Sequence, residues 1–74
     1  MFTIQVIEAR TGKPVEGVRV SVGFNGFFRA FTEDKYTDYN GEVHFDNENG
    51  MGTVYLNGSE NYKGRIEGRK VLYI

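Results

Sequence analysis

The stretch GVRVSVGF, Gly17 to Phe24, sets Val18, Val20, Val22 and Phe24 in strict alternation with Arg19, Ser21 and Gly23. In an extended chain successive side chains point to opposite faces, so this spacing puts every large apolar group on one side. Slipping the register by one residue would expose all four, which ties the segment to a single pairing. The same period of two recurs in FTIQVIEA, where Phe2, Ile4 and Val6 oppose Thr3 and Gln5. It returns in EVHFD, with Val43 and Phe45 inward and Glu42, His44 and Asp46 outward, and in TVYLNG, with Val54 and Leu56 on one side. No stretch carries a helical period.

Between these runs lie the residues that break pairing. Gly12 and Pro14 interrupt ARTGKPVEG, Asn25-Gly26 and Asn40-Gly41 are dipeptides suited to tight turns, and NENGMG reads as a further turn. The tail YKGRIEGRKVLYI fits either one bent strand or a hairpin around Glu67-Gly68, with a strand from about Arg69 to Ile74 preferred. This punctuation predicts about seven short strands in an all-β fold, a small antiparallel sandwich. All 74 residues, 1–74, are expected to form one domain, because half of so short a chain cannot build a core.

Composition narrows the function classes. The chain has no cysteine, so disulfides, thiolate chemistry and cysteine-ligated metal are excluded and the fold rests on packing. Six Phe and five Tyr supply large buried areas per side chain. Nine Lys plus Arg against ten Asp plus Glu give a net charge of -1, without the basic excess that displaces counterions, so no nucleic-acid partner is expected. The locally basic segment Tyr62 to Lys70 is read as a solvated edge strand whose charges discourage stray pairing. No apolar run is long enough to span a bilayer. Met1 leads directly into a strand pattern without the regions of a signal peptide; localisation is left open.

Three segments in order carry a resemblance: VIEARTGKPVEGVRVSV (Val6 to Val22), TDYNGEVHF (Thr37 to Phe45) and GTVYL (Gly52 to Leu56). They resemble the carboxypeptidase regulatory-like domains, small transthyretin-like β-sandwiches of the prealbumin-like class, over roughly Thr3 to Leu56. Each has a mechanical reading. Gly12 and Pro14 turn the chain after the first strand and Gly17 admits it to the second. Asp38, Asn40 and Gly41 form the turn that returns Val43 and Phe45 to the core. The resemblance implies a non-enzymatic accessory module, of a kind often found in secreted or cell-surface proteins, that contacts a partner or supports folding.

The alternatives are a transthyretin-like small-ligand carrier or a degenerate relative of the hydroxyisourate hydrolases. The hydrolases have a histidine where this chain has Gln5, an arginine where it has Glu42, and a tyrosine-arginine-glycine-serine ending where it has VLYI. A glutamine amide cannot shuttle protons as imidazole does, and a carboxylate reverses the charge offered to an anionic substrate. No enzymatic activity is therefore expected. Cna-B-type modules share the turn phrases, but their bonding lysine falls at Val6 and no asparagine closes the last strand. An internal isopeptide bond is not expected, with Lys13, Lys35 and Lys63 the lysines left to consider.

Among single residues, His44 is the lone histidine and stands between Glu42 and Asp46 on one face, a weak zinc or nickel set that more often is merely solvated. The acidic segment Asp46 to Gly50, near Asp38 and Asn40, lacks the spacing of a calcium loop and is accounted for by turn chemistry. Ser21 and Ser59 lack a nucleophile elbow. Asn57-Gly58-Ser59 matches a glycosylation acceptor but reads first as a hairpin. No metal or cofactor is expected. The candidate binding residues are Phe27, Arg29 and Phe31. If Phe28 and Ala30 point inward, these three form an outward aromatic-cationic patch for a protein, a second copy of the chain or a sugar ring. The reverse register would place the two rings in the core.

Overall fold

A computed structural model describes residues 1–25 and 30–74, with the Ala30 side chain outside the description. Among the described residues there is no helix, and hence none long and apolar enough to cross a membrane. The described residues form eight strands: β1 (Phe2–Ile7), β2 (Arg19–Phe24), β3 (Ala30–Phe31), β4 (Lys35–Tyr36), β5 (Glu42–Phe45), β6 (Gly50–Leu56), β7 (Ser59–Ile66) and β8 (Gly68–Tyr73). They form a three-stranded sheet in the order β5-β1-β8 and a five-stranded sheet in the order β3-β2-β6-β7, in which β4 also pairs with β2.

The alternating residues behave as their spacing requires. Phe2, Ile4, Val6, Val18, Val20, Val22, Val43, Phe45, Val54, Leu56, Ile66 and Leu72 form the buried core, with Phe24 and Tyr62 packed at its margin. Phe2 joins the layers, stacking on Phe45 at 5.2 Å and meeting Phe24 edge-on at 5.9 Å. Burying each such side chain contributes about 1.5–3 kcal/mol, so a dozen of them supply the driving force that disulfides provide in other small domains.

Two departures from expectation have physical causes. The first is that, among the described residues after β2, the chain forms two very short strands, β3 and β4, instead of one longer one. Between and after them two threonines replace backbone acceptors. The Val22 N–H donates to Thr32 Oγ1 at 2.9 Å and the Val18 N–H to Thr37 Oγ1 at 2.9 Å. The Thr37 hydroxyl in turn donates to the Val15 carbonyl at 2.7 Å. Both threonines are buried, so these bonds satisfy polar groups that water does not reach.

The second departure lies in the tail. The strand expected from about Arg69 to Ile74 is present as β8, but it neither continues β7 as one bent strand nor pairs with it as a hairpin. Instead β7 ends one sheet and β8 ends the other, and the corner at Glu67-Gly68, with Gly68 at φ +58°, carries the chain between them. Entering beside Phe2, β8 runs parallel to β1 from Phe2↔Gly68 to Ile7↔Tyr73, so the sandwich is not wholly antiparallel. The basic residues Lys63 and Arg65 do lie on an edge strand, β7, as expected of the tail. Asn57-Gly58 forms the β6–β7 hairpin turn, both residues at positive φ (51° and 84°), which is the geometry that favours this dipeptide.

Candidate functional site

Side chains of β2 that do not enter the core project from the outer face of the five-stranded sheet. Backbone register aligns Phe31 of β3 with Gly23 of β2, Gly23 with Thr53 of β6, and Thr53 with Lys63 of β7, a row crossing four strands. The adjacent row runs from Ser21 through Tyr55 to Glu60. Glu60 comes opposite Tyr55 because a register shift between Val54 and Tyr55 leaves Asn61 unpaired.

Phe31 is 68% exposed, yet its position is defined. Its ring lies across Gly23, where a Cβ would come within 2.7 Å of ring atom Cε1. Its centroid is 6.3 Å from that of Tyr55, with the planes tilted by 36°. The two rings form one wall of an open cleft of about 250 Å³, floored by Gly23 and Thr53 and bordered by Glu60 and Lys63. Among the described residues the ion pairs are Lys35–Glu33, Arg65–Glu67 and Arg69–Glu42, so Glu60 and Lys63 face the cleft without an ionic partner there.

Of the three residues expected to form a patch, Phe31 points outward; Phe27 and Arg29 lie outside the described residues, as does Phe28. Tyr55, Glu60 and Lys63 were not anticipated as its neighbours. The alternation of TVYL already turns Tyr55 away from Val54 and Leu56. What brings it beside Phe31 is the long-range pairing of β2 with β6.

A second polar group occupies the outer face of the three-stranded sheet. Asp38, Glu42 and His44 offer ligand atoms within 4.8 Å of one another, the one such group among the described residues. Asp46, expected beside Glu42 and His44, is replaced in it by Asp38. The Asp38 Oδ1 accepts from the Asn40 N–H at 2.9 Å and the Glu42 N–H at 3.0 Å, which folds its carboxylate beside the start of β5. Glu42 is ion-paired with Arg69, whose Nη2 also donates to Gln5 Oε1 at 2.8 Å. The Gln5 amide donates to the Asn40 carbonyl at 2.9 Å, and His44 Nδ1 is hydrogen-bonded to Thr3 Oγ1 at 2.8 Å. Turn capping, one ion pair and one cross-strand hydrogen bond account for every member. Gln5 and Glu42 are thus both held by bonds to their neighbours.

Comparison of this chain with protein-family models, with curated proteins and with solved structures gives no match.

Proposed function

We propose that this domain is a non-catalytic accessory module of the carboxypeptidase regulatory-like kind, which engages a partner through the outer face of its five-stranded sheet. The observation that carries the reading is Phe31: a large apolar ring left 68% in water, yet seated over Gly23 beside Tyr55. Exposed aromatics that the core does not use are the usual anchors of binding surfaces. The turn of the second resembling segment supports the reading. Asp38 caps the turn before β5, and the Gly41 carbonyl accepts from the Val6 N–H at 2.8 Å. A non-catalytic role is further supported by the outer face of the other sheet, where Gln5 and Glu42 stand in a closed hydrogen-bonded set.

The test is a two-dimensional NMR screen of the labelled domain against a panel of peptides and oligosaccharides, with sedimentation to detect self-association. Perturbed amides should centre on Gly23, Phe31, Thr53 and Tyr55. Phe31→Ala should abolish them while costing no more than about 1 kcal/mol of stability, since the ring is mostly solvated. Perturbations centred on Thr3, Glu42 and His44, or a Phe31→Ala variant that melts far below the parent, would refute this assignment of the face.

A further inference from the structure

We infer that the cleft beside Phe31 and Tyr55 takes one uncharged pyranose unit of a glycan; the inference rests on the binding-face reading and names its ligand class. Three features select this occupant. The first is size: about 250 Å³ lies just below the range of drug-sized pockets and suits a single ring with its substituents, and the open rim leaves room for a chain to continue.

The second is the character of the wall. Two adjoining aromatic rings, tilted by 36°, offer an apolar face to the C–H side of a sugar ring. The absence of a side chain at Gly23 lets the Phe31 ring lie down on the sheet beside Tyr55, because a Cβ there would meet the ring at 2.7 Å.

The third is charge. Glu60 supplies a carboxylate acceptor and Lys63 an ammonium donor on the same border, and neither has an ionic partner among the described residues. Vicinal hydroxyls can donate to one and accept from the other, both as charge-assisted hydrogen bonds. Among the described residues of this border the two charges cancel, so an anionic polymer gains no net attraction from them, whereas a neutral polyhydroxylated ring satisfies both groups. Thr53, in the floor, adds a hydroxyl.

The experiment titrates labelled protein with cello-, malto-, xylo- and chito-hexaose and, as charged controls, oligogalacturonate and an acidic peptide. At least one neutral hexaose should shift the amides of Gly23, Phe31, Thr53 and Tyr55, with an affinity insensitive to salt. Phe31→Ala and Tyr55→Ala should each weaken it about tenfold or more, the scale of one lost ring contact, while Phe31→Trp retains it. Lys63→Met and Glu60→Gln should each weaken it several-fold with melting temperature unchanged. Silence from all four hexaoses to millimolar concentration, or salt-dependent preference for a charged control, overturns the sugar assignment. If a peptide or a second copy of the chain then binds at Phe31 and Tyr55, the binding face stands and only its ligand class falls. Sugar binding that leaves those amides unmoved overturns both.

Discussion

Thr32 and Thr37 do in this fold what carbonyl groups do in a regular ladder. The Thr32 hydroxyl accepts from the Val22 N–H of β2 and that of Thr37 from the Val18 N–H just before it, and Thr37 also donates to the partly buried Val15 carbonyl, so one side chain satisfies two backbone groups. Removing a buried partner leaves the full desolvation penalty of what remains. Thr37→Val, close in shape but without the hydroxyl, is expected to lower stability by about 1–3 kcal/mol, with Thr32→Val at the lower end because it orphans one group fewer. Urea unfolding at constant slope reads this directly. Equal, negligible effects would show that water replaces both hydroxyls. Arg69 gives a contrasting case. Its pair with Glu42 is half-exposed on the arginine side, so Arg69→Gln should cost less than about 1 kcal/mol. Alternation left Phe31 with two possible directions, and its pairing opposite Gly23 turns it outward. The roles of the threonines could not be read locally either, because their donors, Val22 on β2 and Val18 just before it, are remote in sequence.

At the level of elements, the turn before β5 is tightly constrained. Gly41 holds φ +74°, and a Cβ there would stand 2.5 Å from the Val6 carbonyl oxygen, which is backbone and cannot rotate away. Gly12 has the same φ of +74° but nothing within 4 Å of the equivalent position. Substituting each by alanine separates two costs. Gly12→Ala should lose about 1 kcal/mol from the left-handed conformation alone, and Gly41→Ala distinctly more, about 2–4 kcal/mol, because the turn must move off β1. Equal losses in thermal melts would mean that the turn shifts freely. Sequence patterns identified this turn and the Asn57-Gly58 hairpin because both are local. The break between β3 and β4 and the end of β4 escaped because they are set by where Thr32 and Thr37 meet Val22 and Val18.

At the scale of the whole molecule, β8 closes the three-stranded sheet. Leu72 is its buried anchor, and its parallel ladder covers one side of β1 from Phe2 to Ile7. A chain ending at Glu67 should therefore lose cooperative folding, since the edge of β1 and the core beneath it would open to water. Circular dichroism and a flat denaturation profile would register this; a sharp transition in the truncated chain would show β8 to be an appendage. Pairing residues so distant in sequence also implies that closure of β1 with β8 comes late in folding. What the sequence determined by itself was the extended character of the chain, the inward and outward sides of its strands and the places where it turns, because alternation and turn chemistry act over a few residues. What only the tertiary structure decided was which sheet each strand joins, the parallel direction of β8, and the meeting of Phe31 with Tyr55, Glu60 and Lys63. Those depend on how remote segments stack to exclude water from one shared core, and no local pattern encodes that choice.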